Sequence, residues 1–281
     1  MSNKNLKIPI LIPETAQPGG TIYVHVAPST TALNFLVATN FYENFLNMHQ
    51  TEPTSLKECF VCGTRDFRDQ GITMVEKMWP AFDFADKWVR CNKCDVITPT
   101  KRPPSMLLQC LYSYFYPSDP QINDEIIEPR IFKEFQLREK ALKGNVLDIG
   151  GGDGALGKYC IDGYLNIDMH PDANFRINID DVESLSLLDN LEETANLIIC
   201  CDLIEHLLKP RNIFELTKKC LNPQNGKLYL NVGQFHSDQE VADFHPPHIM
   251  SMSKKTIDFL CKDYDMKIED QIGSSFVLSR N

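Results

Sequence analysis

The chain has 281 residues, 43% of them hydrophobic and 23% charged, with a formal net charge of −10. That length predicts one main domain with a smaller accessory unit, and no apolar run approaches the ~20 residues that a membrane-crossing helix needs. Residues 142–281 hold 13 basic against 22 acidic side chains, a balance that repels a long nucleic acid and suits a small or weakly charged partner.

In chain order, the opening MSNKNLKIPILIPETAQPGG makes a poor signal peptide because Pro9 and Pro13 interrupt its apolar stretch. A cytoplasmic location is therefore expected. Within residues 1–55, TIYVHVA is a candidate strand and FYENFLNM a candidate helix, and this segment receives no function.

Residues 56–104 contain ECFVCG and VRCNKCDV, which give Cys59-x2-Cys62, a gap of 28 residues, and Cys91-x2-Cys94. Each CxxC turn can aim two thiolates at one ion, and four thiolates close a tetrahedral zinc site with no open position. Ten cysteines without a secretion signal also argue for metal ligands and buried thiols over disulfides. The expectation is a small zinc-ribbon-like module whose ion is structural, holding one side of a substrate cleft.

Residues 105–141 read as a connector or lid of two helices, LLQCLYSYFY and DEIIEPRIFKEFQLREKALKG, separated by a proline-rich break and ending at Gly144. From Asn145 onward strands and helices alternate. NVLDIG, YLNID, FRINI, ANLIICC, GKLYLNV, MKIEDQI and SFVLSR are strand-length runs. IGGGDGALGKYC, VESLSLLDNL, RNIFELTKKCL and SKKTIDFLCKDY are helical segments between them. This alternation predicts an α/β domain over residues 142–281, with a mostly parallel sheet and an antiparallel strand at its end.

Strand VLDIG runs directly into GGDGALGKY, so Gly150, Gly152 and Gly154 form G-x-G-x-G at a strand-to-helix turn. Such glycines permit positive φ and let the backbone approach a ligand closely. The second strand ends in Asp168, 20 residues after Asp148, where a carboxylate can accept hydrogen bonds from both hydroxyls of a ribose. The third ends at Asp180-Asp181-Val182, where an acid and an apolar neighbour suit an adenine. Only MHPDANF separates those two strands, too little for a helix.

These residues resemble the class I S-adenosylmethionine-dependent methyltransferases over about residues 142–281, in VLDIGGGDG, Asp168, Asp181 with Val182, and DLIEHLLKP. The resemblance implies a Rossmann-like seven-stranded sheet and S-adenosylmethionine as cofactor. It also implies that Asp148, Gly150, Gly152, Gly154, Asp168, Asp181 and Val182 bind that cofactor. A four-cysteine module ahead of such a domain is similar to an arrangement among small-molecule methyltransferases. A nicotinamide enzyme is the rival for the glycine loop, but a dinucleotide fold would need more strands than the chain offers.

Open α/β sheets bind ligands at the carboxyl ends of their strands. His206 sits at such an end, and so do His245 and His248 in FHPPHIMSMS, the loop that precedes a helix cap at Ser251–Ser253. These three histidines are the catalytic candidates, with His245 or His248 as general base for a hydroxyl acceptor. Asp202, Glu205 and His206 in CCDLIEHLLKP, joined by a histidine of the HPPH loop, match the positions at which some members of the resembling family bind a divalent ion. Mg2+ or Mn2+ would suit that set. A similar E-H-x-x-x-P ending also occurs in members that need no metal.

The expected function is O-methylation of a small molecule such as a sugar or natural-product intermediate. The alternatives are metal-assisted 2′-O-methylation of an RNA end, against which the acidic surface counts, and a non-catalytic cofactor-fold and zinc protein-binding module. The acceptor and the oligomeric state stay open on sequence alone.

Overall fold

The computed structural model describes residues 7–9, 23–25, 54–70, 87–103, 108, 130–137, 141–170, 172–181, 184–237 and 248–281. The expected FYENFLNM helix, Val182 and His245 lie outside them, as does most of the first connector helix. Near the N-terminus β1 (Lys7–Pro9) pairs antiparallel with β2 (Tyr23–His25), which falls within the expected TIYVHVA strand.

The cysteine module is built on a short antiparallel sheet of β4 (Phe67–Gln70), β5 (Trp88–Cys91) and β6 (Ile97–Pro99), in that order. Beside it β3 (Thr54–Ser55) pairs antiparallel with β7 (Lys101–Arg102). Each CxxC pair sits in a tight turn ended by a left-handed residue, Gly63 at φ 70° and Asp95 at φ 73°.

The main sheet contains all seven strands expected after residue 145. They are β8 (Asn145–Ile149), β9 (Gly163–Asp168), β10 (Phe175–Arg176), β11 (Leu197–Cys201), β12 (Lys227–Asn231), β13 (Met266–Ile272) and β14 (Ser275–Arg280). Their order is β10-β9-β8-β11-β12-β14-β13. The first five run parallel, and β14 is antiparallel to both β12 and β13. The strand order reverses between β8 and β11, so the loops leaving those strands diverge and open a crevice at the carboxyl edge.

The apolar runs form strands because both faces of this sheet are covered. Ile198 and Cys200 face a core shared with Ile213 and Phe214, whereas Ile199 faces the opposite side with Val146, Tyr229, Ile131 and Phe132. The helices that cover these faces are α1 (Arg130–Glu134), α2 (Arg211–Cys220) and α3 (Lys254–Asp263). Serine 253 caps α3 reciprocally with Thr256, as the SMSKKT stretch suggests.

Two of the expected helical segments take the 3₁₀ form. After the glycine loop only Ala155–Tyr159 is helical, because Gly150, Gly152 and Gly154 all have positive φ and take the first turn out of helical geometry. Ser184–Leu191 is likewise 3₁₀; three residues per turn align the fully buried Leu188 with Leu191 against the core. Strand FRINI shortens to Phe175–Arg176, since Asp181 N–H already turns back to Asn178 C=O.

The cysteine module shares one continuous apolar core with the sheet, through Cys59, Val61, Cys91, Cys94 and Val96. Ile97 and Ser251 exchange backbone hydrogen bonds of 3.0 and 2.9 Å. Arg211 donates to Val61 C=O at 2.8 Å, and Arg102 donates to Leu208 C=O at 2.6 Å. Among the described residues no helix is long and apolar enough to cross a membrane.

Candidate active site and cysteine cluster

At the carboxyl edge, Gly150, Gly152 and Gly154 adopt φ of 81°, 56° and 82°. A Cβ on Gly150 would come within 2.8 Å of Leu203 Cδ2, and one on Gly151 within 2.4 Å of an Asp148 carboxylate oxygen. The loop is thus drawn tight against the turn that follows β11, and only glycine fits there. Gly152 N–H donates to Asp168 Oδ2 at 2.9 Å, and His170 N–H donates to Oδ1 at 2.8 Å. The acid at the end of β9 therefore sits directly on the glycine loop, each oxygen retaining a further lone pair for a ligand hydroxyl.

Asp148 lies beneath the loop, buried, and accepts a 2.8 Å hydrogen bond from Tyr164 Oη. Burial raises its pKa to about 6, against the lowering effect of Tyr164 and with a contribution from the charge of Asp168. The Asp180-Asp181 pair divides its roles. Asp180 accepts from the backbone N–H groups of Leu208 and Lys209 at 3.0 and 2.7 Å, anchoring the chain that leads into α2. Asp181 is the exposed member.

After β11 the chain turns through Asp202, at φ 48°, into a 3₁₀ turn Ile204–His206. Glu205, His206 and His248 bring one ligand atom each to within 4.8 Å of one another. Glu205 is fully buried, and neither carboxyl oxygen has a hydrogen-bond partner of normal geometry among the described residues. Burial raises its pKa to about 8; the N–H groups of Glu205 and Gly233 and the charge of Arg130 act the other way, and Asp202 adds to the rise. The rings of His206 and His248 lie 4.6 Å apart, and His248 Nε2 is 3.9 Å from Glu205 Oε1.

His248 Nδ1 lies 2.9 Å from Gln234 Oε1. An amide oxygen only accepts, so this bond places the proton on Nδ1 and leaves the lone pair on Nε2, the nitrogen that faces Glu205. Asp202 turns elsewhere, to an ion pair with Arg130 Nη1 at 3.0 Å that also engages Asn231 Oδ1. The three groups brought together are therefore Glu205, His206 and His248, with Asp202 beside them. Both carboxylates border Gly233, where an added Cβ would lie 2.1 Å from Glu205 Oε1 and 2.9 Å from Asp202 Oδ1.

Sequence reading passed over Gln234, Gly233, Arg130 and Tyr164. The glycine directly after the fifth strand was the available signal, since a strand-end glycine marks a close approach. Arg130 gave none, being one of several charges on a connector.

In the cysteine cluster Cys59 Sγ and Cys94 Sγ are 3.5 Å apart, as are Cys62 Sγ and Cys91 Sγ, and all four sulfurs lie within 4.8 Å. Four zinc–sulfur bonds of ~2.3 Å in a tetrahedron separate the sulfurs by roughly 3.8 Å, so the cage has the dimensions of such a site. Mutual hydrogen bonding lowers the pKa of Cys91 and raises that of Cys94, with Cys59 pushed up to about 12. A bound cation would stabilise the thiolate form of sulfurs crowded in this way.

Residues 124–271 match a protein family described as a methyltransferase domain. No curated protein matches the chain. Among solved structures, a protein of Pyrococcus horikoshii OT3 is 18% identical, with 60% of this chain and 98% of that one covered and a TM-score of 0.41. A protein described as a candidate methyltransferase, in complex with the Haloferax volcanii Trm112 methyltransferase activator, is 14% identical (54% and 75% covered, TM-score 0.41). A Leishmania major S-adenosylmethionine-dependent methyltransferase is also 14% identical (52% and 68% covered, TM-score 0.37).

Two outcomes follow from this geometry. Elemental analysis of purified protein should find about one zinc per chain, and a Cys59→Ser, Cys62→Ser double variant should lose it; full retention would refute the four-thiolate site. Glu205 keeps its proton in the folded chain up to about pH 8, whereas the unfolded chain releases it near 4.5. Its contribution to stability is thus complete below pH 4.5 and lost as pH rises through 8, at up to ~1.4 kcal/mol per pH unit. Urea unfolding without added divalent metal should show Glu205→Gln gaining on wild type between pH 5 and 8; parallel curves would contradict the assignment.

Proposed function

We propose, from the premise that the chain belongs to the methyltransferase-domain family, that this S-adenosylmethionine-dependent enzyme methylates an oxygen of a small molecule. Asp148, Gly150, Gly152, Gly154 and Asp168 are the residues that would hold the cofactor. Their fit rests on the backbone cradle that a Cβ would fill, and on a carboxylate placed on that cradle. When bound, the cofactor supplies a methyl group already activated by its sulfonium. The protein's task is then to align the acceptor, exclude water and manage one proton.

The observation that carries the oxygen assignment is the orientation of His248. Gln234 fixes its tautomer, and Nε2 carries the lone pair that can take a hydroxyl proton, which would help by roughly 10²- to 10⁴-fold. The His206 ring lies tilted against it and Glu205 backs it. His245 and Val182 stay candidates from sequence, as does Asp181, exposed in the turn beyond β10, for an adenine amine. The acidic balance of residues 142–281 favours a small acceptor over an RNA end. The four cysteines are assigned a structural zinc, and a cytoplasmic setting fits their reduced state.

A second reading is favoured by one observation: Glu205 buries two carboxyl oxygens that have no hydrogen-bond partner of normal geometry among the described residues, beside two imidazoles. Glu205, His206 and His248 would hold a divalent ion such as Mg2+ or Mn2+, which would act as a Lewis acid on the acceptor oxygen. Asp202 would join only by leaving Arg130.

Isothermal titration with S-adenosylmethionine should show binding by wild type and a roughly 10- to 100-fold loss in Asp168→Ala, the scale of charge-assisted hydrogen bonds. Failure of the folded wild type to bind would end the enzyme reading. For the second reading, Mn2+ followed by electron paramagnetic resonance should bind wild type and not Glu205→Gln; equal binding by both, or none by wild type, would remove it.

A further inference from the structure

Asp95 follows the last cysteine of the cluster, and its side chain points away from the sulfurs into the methyltransferase domain. It is 5% exposed. Arg90 Nε and Nη2 each donate to its carboxylate at 2.7 Å. Ser253 Oγ, the cap of α3, donates to Oδ2 at 2.8 Å, and His236 Nε2 stands 3.6 Å from that same oxygen. His236 Nδ1 in turn meets Ser251 Oγ at 2.8 Å. Every member of this set is buried, and it joins three segments: the cysteine module, the turn after β12 and the strap 248–253.

The strap itself is held on both edges. Ser251 exchanges backbone hydrogen bonds with Ile97 of the module, Met252 N–H donates to Gln234 C=O at 3.0 Å, and His236 N–H donates to Met252 C=O at 2.8 Å. At its start Ile249 N–H donates to Glu205 C=O at 3.0 Å. His248 is the next residue outward, and its ring is held by Gln234. Its position is therefore the sum of contacts made by the strap, among them the charge-assisted hydrogen bond from Ser253 to Asp95 of the cysteine module.

We infer that Asp95 is a positioning residue for His248, transmitting the fold of the cysteine module through Ser253 and the strap to the histidine that faces Glu205. The assignment stands whether His248 serves as base or as metal ligand. A buried carboxylate bound by a bidentate arginine is expensive to replace, since two charge-assisted hydrogen bonds are weakened in a site that excludes water. Replacing it should loosen the strap locally, while the parallel sheet, which makes no use of Asp95, keeps its hydrogen bonds.

The test uses the full-length protein as purified. In Asp95→Asn, hydrogen exchange of the Ile249, Ser251 and Met252 amides should quicken about tenfold or more. The amides of β8 and β11 should keep wild-type rates, and the zinc content should be unchanged. The ring resonances of His248 should move by NMR while those of His170 stay fixed. Strap protection and a His248 signal equal to wild type would overturn the inference. Should Asp95→Asn exchange quickly throughout, Ser253→Ala decides when set against Thr256→Ala: the first keeps the Asp95–Arg90 pair but removes both the hydroxyl's link to Asp95 and its cap bond to Thr256 N–H, whereas the second loosens the cap alone and leaves the Asp95 link. Strap exchange faster in Ser253→Ala than in Thr256→Ala would then support the assignment, and equal exchange in the two would overturn it.

Discussion

Residues 249–252 are hydrogen-bonded along both edges, to Ile97 on one side and to the 234–236 turn on the other. That constraint organises the rest of the site. It fixes where α3 begins, because the strap delivers Ser253 to the capping position. It gives the cysteine module a docking edge on the main domain, and it leaves His248 at the mouth of the crevice between the β11 and β12 turns. A four-thiolate knuckle alone would be a small autonomous unit. Here its Val61, Cys94 and Val96 lie in the same apolar cluster as Phe214 and Leu260, so module and sheet bury one core in common.

Three buried carboxyl groups show how neighbours decide the charge state. Asp148 and Glu205 have few donors and a like charge nearby, and burial dominates, lifting both. Asp95 is buried too, yet its carboxyl is held below the usual range, because the Arg90 fork and the Ser253 hydroxyl outweigh desolvation. The first two are poised groups in the crevice. The third is a fixed ionic joint, and its position directly after Cys94 places it where the module meets its neighbour.

Much of this was legible beforehand, for physical reasons. The seven strands stood out because both faces of the sheet are covered, which writes each as an unbroken apolar run. The cysteine spacing and the G-x-G-x-G turn were legible because both depend on residues adjacent in sequence. What escaped notice depends on residues far apart. Asp202 and Glu205 look equivalent in DLIEH, but Arg130, 72 residues earlier, draws Asp202 away. Asp180 and Asp181 are neighbours in the chain, and only the arrival of the Leu208–Lys209 backbone turns one of them inward. The two 3₁₀ segments were legible only as helical, because an apolar pattern over five or eight residues fits either period.

Gly233 has its own consequence. Its missing side chain is the space that the Glu205 carboxyl occupies, with Asp202 close by. Position 233 is therefore locked for as long as an acid remains at 205: even a methyl group there would have to displace the buried carboxyl. In the language of descent, the two positions form one heritable unit. A lineage that lost the acid could fill the glycine, and one that filled the glycine first would already have surrendered the acid's place.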